Sequence, residues 1–166
     1  MKPRTYCLFL LSCLFIVLPL ASKPSYCQSL TAITESDIHA MLNEMDKAAR
    51  KGNVAGMIAP YTPDSKHKFT IVNPGTDKEL VGTLTKDQYA FNARHNMRRR
   101  ISYHLERKNT RIKIYDAKTA TVTSELYETL KLRQGTLRGS SSEVMFVSLR
   151  NGKLVITGSE TRARFY

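Results

Sequence analysis

Two charged residues near the C-terminus could bind a polar ligand or move a proton. Glu160 and Arg162 continue the alternation that places Leu154 and Ile156 on one face of the last predicted strand. If this alternation holds, an acid and an arginine point into the protein, where they could bind a polar group or hold a carboxylate ready for proton transfer. The alternative is that Gly158 bulges the strand and turns both side chains outward as a surface ion pair.

Three tyrosines complete the predicted ligand-binding set. Tyr103 lies on a strand that bends toward the interior, Tyr61 precedes the first predicted strand, and Tyr127 follows a predicted turn. For Tyr61 and Tyr127 the alternative is a packing aromatic ring whose hydroxyl reaches the edge of the core. The predicted ligand-binding residues are Tyr61, Tyr103, Tyr127, Glu160 and Arg162. No pattern assigns a catalytic residue.

A basic stretch, "ARHNMRRRIS", could bind anions. The predicted anion-contacting surface consists of Arg94, Arg98, Arg99 and Arg100. The basic run continues with Arg107, Lys108, Arg111 and Lys113. Nucleic-acid binders combine such charge with exposed aromatic rings, but Tyr89 and Tyr103 occupy predicted core positions, which disfavours a nucleic-acid partner. A solvated helix end is the alternative, because cations there complement the helix dipole.

The N-terminus has the pattern of a secretory signal peptide. Lys2 and Arg4 precede an apolar run over residues 6–21, and small residues follow. We expect a signal peptide over residues 1–29, one domain over residues 30–166, and a secreted or periplasmic protein; an uncleaved membrane anchor is the alternative. Without this segment the net charge falls from +12 to +9, which still favours anionic partners such as envelope lipids or polymers.

Metal and cofactor sites are not expected. The three cysteines lie within residues 1–27, so the mature domain has no thiolate ligand or nucleophile. The four histidines do not have metal-ligand spacing; they are His39, His67, His95 and His104. No glycine-rich phosphate loop or dinucleotide fingerprint is present.

The remaining pattern predicts three helices followed by long strands. Thr34 caps the first helix, which Gly52 ends; "NVAGMIAPY" forms a short second helix, and Thr85 with Gln88 forms a capping box for the third. Residues 66–72 form a strand, and residues 73–79 a loop. From Ile101 the apolar period is two, as in strands.

The strands pair through two predicted turns. Alternation slips between Leu105 and Ile112, which indicates a bulge over residues 107–110. A turn at residues 116–118 pairs Ile112 with Val122, and "NG" at residues 151–152 forms a type I′ hairpin. The predicted order is α-α-β-α-β-β-β-β. We therefore expect an α+β fold in which N-terminal helices pack on a strongly bent antiparallel sheet, a cone-shaped α+β barrel.

The sequence resembles the nuclear transport factor 2-like superfamily, which includes ketosteroid isomerase and SnoaL-like cyclases, and the resemblance covers residues 36–166. It rests on "ARKGNVAGMIAPYTPD", "LVGTLTKDQY", "IYDAKTATVTSELYE" and "NGKLVITG" in this order. The resemblance implies a cone of helices over a bent sheet, often enclosing a pocket, and frequent homodimers. Because its members include enzymes, ligand binders and interaction modules, it does not give the function.

One position departs from the isomerase pattern. "TIVNPGTDKELVG" resembles the stretch that carries the general base of ketosteroid isomerase, and Asn73 occupies the matching position. An amide cannot accept a proton at neutral pH, so this departure argues against that chemistry. Asn73 is interpreted as a turn residue.

The sequence therefore predicts an exported binding or interaction protein that is more often non-catalytic than an enzyme. It would hold a small apolar or amphipathic ligand in the cone, or a protein partner on the sheet, and would form a homodimer. The alternatives are a cofactor-independent SnoaL-like isomerase, dehydratase or cyclase, and a protein whose basic patch binds anionic envelope components.

Overall fold

The computed structural model describes residues 29–73 and 75–166. The predicted signal peptide lies outside the described residues, except for Ser29. In chain order the elements are α1 (Glu35–Lys51), α2 (Val54–Ile58), β1 (Tyr61–Val72), β2 (Glu79–Thr85), α3 (Lys86–Arg98), β3 (Arg100–Ile114), β4 (Thr119–Leu132), β5 (Gly135–Arg150) and β6 (Lys153–Phe165). No helix in this part of the chain has the length and apolar character needed to cross a membrane.

Helix α1 begins and ends at the predicted residues. The Thr34 hydroxyl accepts a hydrogen bond from the backbone N–H of Asp37 at 3.1 Å, which satisfies one of the free donors of the first turn. Gly52 follows the helix with a left-handed backbone, φ 74°, a conformation that favours glycine. Ile38 and Leu42 are buried on the side that faces the sheet.

Helix α3 also has its predicted start. Thr85 accepts from the backbone of Gln88, and the Gln88 side chain accepts from the backbone of Thr85. This reciprocal capping box fixes the direction of the helix. As a result, Tyr89, Ala93 and Met97 face the concave side of the sheet, as their spacing predicts.

The sheet has six strands in the order β2-β1-β6-β5-β4-β3. It is strongly curved and the helices cover its concave side, so the predicted α+β cone is confirmed. The expectation of a purely antiparallel sheet is corrected at one pair, because β1 and β6 run parallel. β1 follows the helices and β6 ends the chain, so no short turn joins this pair.

Strand β2 is missing from the predicted elements. It lies at the sheet edge and pairs with β1, and its first three residues are all exposed. An edge strand with both faces largely exposed carries little apolar alternation, which is the signal that identifies strands. Asn73 does lie in the turn before it, where its Oδ1 accepts from the N–H of Gly75 at 2.9 Å.

The predicted bulge in β3 is confirmed. Lys108 pairs with Glu125 and Arg111 with Thr123, so the register shifts between the two pairs. Asn109 has a left-handed backbone, φ 51°. Because the bulge adds one residue, the inward positions change from odd to even numbers along the strand.

The predicted "NG" hairpin between β5 and β6 is confirmed. Both of its turn residues have positive φ, 51° at Asn151 and 70° at Gly152, as a type I′ turn requires.

Strand β6 contains a second bulge a few residues after this turn. Val147 pairs with Ile156, whereas Phe146 pairs with Gly158. One residue of β6 is therefore extra, and its inward positions change from even to odd numbers beyond this point.

The apolar core fills one end of the cone. Val122, Met145 and Ile156 are fully buried on three neighbouring strands, and they pack with Ile38 and Leu42 of α1. This end lies toward the turns that join β3 to β4 and β5 to β6. At the other end of the same strands the interior is open.

Candidate functional site

A cavity of about 480 Å³ lies between α3 and the concave face of the sheet. Every strand contributes at least one residue to its wall. Its walls are mainly apolar and include Phe69, Leu84, Met97, Leu126, Leu130 and Phe165. This volume is within the range of small-molecule sites, roughly 300–1,000 Å³.

A charged layer separates the cavity from the core. The Arg107 guanidinium makes a bidentate pair with Asp46, with Nε to Oδ2 at 3.0 Å and Nη2 to Oδ1 at 2.9 Å. Nη1 donates to Glu143 Oε2 at 2.9 Å and to the Ser124 hydroxyl at 2.6 Å. Because α1, β3, β4 and β5 each supply one residue, this layer ties the helix to the sheet beneath the cavity.

The layer contains two carboxylates and one cation. Burial raises the pKa of Glu143, and Arg107 offsets this only in part. Burial acts to lower the pKa of Arg107, but the hydrogen bonds and charges of Asp46 and Glu143 more than compensate and raise it. Arg107 is therefore a permanent cation that is fully engaged by its two acids.

A second polar group lies on the cavity wall itself. Tyr103 donates its hydroxyl hydrogen to Glu128 Oε1, and both residues line the cavity. Burial and the adjacent Glu128 charge raise the pKa of Tyr103 far above its ordinary value, so Tyr103 stays protonated. Among the described residues, Glu128 Oε2 accepts no hydrogen bond.

His67 forms the third polar feature of the wall. Its ring stacks on Tyr89 at 4.7 Å between centroids and meets Tyr61 edge-on at 4.5 Å. Its nitrogens face the hydroxyls of Ser159 at 3.0 Å and Ser65 at 3.3 Å. Burial, with a smaller contribution from Lys86, lowers the pKa of His67 to about 4. The imidazole is therefore neutral at pH 7.

The five predicted ligand-binding residues do not lie together in the structure. Tyr103 lies on the cavity wall, and its role in ligand binding stays a prediction. Tyr61 is buried behind His67, in the position of a packing aromatic. Tyr127 is exposed on the outer face of β4, where its hydroxyl donates to Glu125 at 3.0 Å. Tyr127 therefore does not line the cavity, because Leu126 and Glu128 occupy the inward positions on either side.

The inward orientation of Glu160 and Arg162 is also wrong. Both are exposed, and Arg162 forms a surface ion pair with Glu79 at 2.6 Å. The bulge beside Gly158 reverses the alternation, so Ser159 and Thr161 line the cavity instead. The alternative interpretation, in which Gly158 turns them outward, describes the structure.

Three of the four arginines predicted to contact anions are exposed. Arg94 and Arg98 are exposed, and Arg99 is exposed at the rim of the cavity. Arg100 instead folds back onto α1, where Nη1 donates to the carbonyl of Ala49 at 3.1 Å. Arg100 therefore caps the last turn of α1, and the prediction that it belongs to an exposed anion-contacting surface is wrong. Cations at a helix C-terminus complement the free carbonyls there.

His67 was not predicted as a site residue, and neither were the four charged residues Asp46, Arg107, Glu128 and Glu143. For Glu128 a signal exists, because the predicted pairing of Ile112 with Val122 makes every even position of β4 face inward. Arg107 lies before the bulge at Asn109, so the alternation that turns Tyr103 inward also turns Arg107 inward. Its positive charge instead favours the interpretation that it lies on the solvated surface. No local pattern reveals Asp46 or Glu143, since their role depends on Arg107 lying between them.

The described residues contain no group of three His, Cys, Asp or Glu side chains placed to hold a metal ion. The absence of a metal and of a cofactor stays a prediction.

Comparison with known proteins supports the architecture. No protein-family model matches the chain, and no curated protein sequence matches it. Solved structures do match. A putative scytalone dehydratase from Novosphingobium aromaticivorans superposes with a TM-score of 0.65 at 13% identity, over 77% of this chain and 82% of that one.

Two further structures show the same similarity. An NTF2-like protein from Cytophaga hutchinsonii gives a TM-score of 0.58 at 14% identity, over 79% of this chain and 99% of that one. Hexachlorocyclohexane dehydrochlorinase LinA-type3 from Novosphingobium barchaimii gives 0.59 at 14% identity, over 77% and 84%. Identities this low carry the architecture and not the activity. The chain has the fold of the nuclear transport factor 2-like superfamily, as its sequence motifs indicate.

Proposed function

We propose that this protein binds a small, mainly apolar molecule in the open end of its cone. The observation that carries the proposal is the cavity itself, about 480 Å³ beside a core of buried apolar side chains. A cone filled with side chains would have left only partner binding on the sheet. An apolar wall with a few fixed polar groups is the usual composition of a ligand site.

The polar groups of the wall are held in place before a ligand arrives. Glu128 is fixed by Tyr103, Glu143 by Arg107, and His67 by two hydroxyls. Fixed groups lose little conformational entropy on binding, which favours affinity and orientation. Export through a signal peptide and homodimer formation remain part of the proposal, as expectations from the sequence.

Native mass spectrometry of the protein purified from its own host tests the proposal. We expect a retained small molecule, or uptake of 1-methylnaphthalene by the emptied protein. Ala93→Phe, which adds a ring inside the cavity, should abolish uptake. Ala55→Phe is the matched control, because Ala55 is exposed on α2. Equal uptake by both variants, or none by the wild type, would contradict binding in the cone.

A second candidate is a cofactor-independent enzyme that moves a proton. It is favoured by the pairing of Glu128, whose Oε2 is free among the described residues, with a protonated Tyr103 on the same wall. A carboxylate base can remove one proton, and once its negative charge is neutralised the Tyr103 hydroxyl can turn from Glu128 and donate to the oxygen that becomes negative. Two proteins of the same fold are named a dehydratase and a dehydrochlorinase.

Proton exchange in D₂O tests this candidate without knowledge of the substrate. A panel of cyclic ketones is incubated with the protein, and loss of the α-proton signal is followed by NMR. Enzyme-dependent exchange that Glu128→Gln removes and Glu160→Gln retains would support catalysis. Exchange no faster than in buffer leaves ligand binding as the function of the cavity.

A further inference from the structure

The inner wall of the cavity has an excess of negative charge. Glu128 and Glu143 both line it, and Asp46 lies directly behind. Among the described residues, the buried cation facing them is Arg107, which already bonds to both Asp46 and Glu143. One cation against three carboxylates leaves the wall acidic, although the chain as a whole has a net charge of +12.

The lysine and arginines that line the cavity lie at its rim. Lys68, Arg99 and Arg138 contribute to the lining but are exposed to solvent. Solvent screens their charges from the interior, whereas charges on the apolar inner wall interact strongly. The cavity is therefore polarised, with bases at the mouth and acids inside.

Glu128 has acceptor capacity that the protein does not use. An ionised carboxylate can accept about four hydrogen bonds, and the described residues give Glu128 one, from Tyr103. Apolar residues Leu126 and Leu130 precede and follow it on the inner face of β4. A carboxylate in such surroundings is stabilised by any donor that enters, and most strongly by a cationic donor.

We propose that the ligand is an amphipathic amine, whose protonated amino group donates to Glu128 while its apolar body fills the space between α3 and the sheet. This inference rests on the proposed binding function and names its ligand class. An anionic head group would meet Glu128 and Glu143, whereas the half-buried cations Lys86 and Arg100 already donate to the backbone carbonyls of Tyr61 and Ala49. We therefore expect carboxylic acids to bind the inner wall poorly. The net positive charge of the chain would instead suggest a preference for anionic ligands.

Four probes with one ring system and different head groups test the inference. They are 1-methylnaphthalene, 1-naphthalenemethanol, 1-naphthylmethylamine and 1-naphthoic acid, titrated calorimetrically into the wild-type protein at pH 7 and 0.15 M NaCl. We expect the amine to bind about 10-fold or more tightly than the alcohol, since charge-assisted hydrogen bonds are roughly twice as strong as neutral ones. The acid should bind most weakly.

Two variants attribute this preference to Glu128. Glu128→Gln should reduce amine affinity about 10-fold and should change the affinity for 1-methylnaphthalene much less, so that the amine loses its advantage over the hydrocarbon. Glu160→Gln removes the same charge from the exposed outer face of β6 and should change neither. Affinity for 1-methylnaphthalene also reports whether Glu128→Gln keeps a folded cavity.

The outcomes separate the two proposals. If no probe binds the wild type, both the proposed function and this inference are overturned. If 1-methylnaphthalene binds but the amine shows no advantage over the alcohol, or the acid binds as tightly, the inference alone is overturned. The wild-type series decides this ranking even if a variant fails to fold.

Discussion

Arg107 Nη1 lies 2.9 Å from Glu143 Oε2 at the level where the filled end of the cone meets the open end. On the core side of this pair the interior is apolar and closed, with Val122 and Met145 fully buried. On the other side Leu126 and Ser141 line the cavity. The pair therefore forms the floor of the candidate site, and Asp46 anchors it to α1.

Loss of Arg107 should destabilise the whole domain. Arg107→Met leaves Asp46 and Glu143 buried without their cation, and breaking a buried pair in this way costs about 3–5 kcal/mol. Urea denaturation followed by circular dichroism measures the free energy of unfolding. Arg162→Met is the matched control, because its pair with Glu79 is exposed and exposed pairs contribute little. Similar unfolding midpoints for the two variants would contradict a structural role for the floor.

The bulge in β3 should depend on the residue at position 109. Asn109 has φ 51°, a left-handed backbone that glycine and asparagine tolerate and that β-branched residues resist. We expect Asn109→Val to cost about 1–3 kcal/mol of unfolding free energy and Asn109→Gly to change it little. Thr123→Val, on the partner strand, is the control. A tolerated valine at position 109 would show that the strand pairs without this bulge.

The sequence predicts local structure well where one short signal decides it. Thr34 determines the start of α1, and Thr85 with Gln88 determines the start of α3, through hydrogen bonds with the backbone. The Asn151-Gly152 turn determines the hairpin through its positive φ angles. The β3 bulge is visible because apolar residues on both sides reveal the slip. The fold class follows from these elements and their order.

The site is less predictable because it depends on a bulge whose position the sequence left open. The extra residue beside Gly158 shifts the alternation of β6 by one position. As a result, Ser159 points into the cavity where the acid Glu160 was predicted. Glu143 becomes a site residue through Arg107, 36 positions away. Such long-range pairs carry no periodic signal in a single sequence.

Acid should destabilise the protein through His67. Its pKa is lowered to about 4 in the folded state, from an ordinary value of 6.5, mainly by burial. Between these values the unfolded chain binds more protons than the folded one, so the His67 contribution to stability is complete above pH 6.5 and is lost as the pH falls toward 4. Thermal unfolding of the wild type should therefore shift to lower temperature across this interval.

Two histidine variants identify the source of this pH dependence. His67→Gln should have a flatter dependence of melting temperature on pH between 6.5 and 4 than the wild type, since it has no imidazole to protonate. His104→Gln serves as the control, because His104 is exposed. If the two variants and the wild type lose stability in parallel as the pH falls, another group controls the acid transition.

The exposed arginines at the end of α3 should bind anionic surfaces. Arg94, Arg98 and Arg99 are exposed, and no ion pair among the described residues involves them. Cosedimentation with vesicles of phosphatidylglycerol and phosphatidylcholine should show binding that weakens as salt rises, because solvent-exposed charges are screened. Replacing all three by glutamine should weaken binding about 100-fold, since each basic residue near an anionic surface contributes a similar amount of binding free energy.

A second triple variant distinguishes this patch from the general positive charge of the protein. It replaces exposed cations at the opposite end of the cone, beside the β3–β4 and β5–β6 turns, by glutamine: Lys118, Arg150 and Lys153. Both variants lose three positive charges, so a purely global effect would weaken vesicle binding equally. A patch at the α3–β3 junction predicts a larger loss for the arginine variant, and binding that persists undiminished at 1 M NaCl would exclude an electrostatic contact.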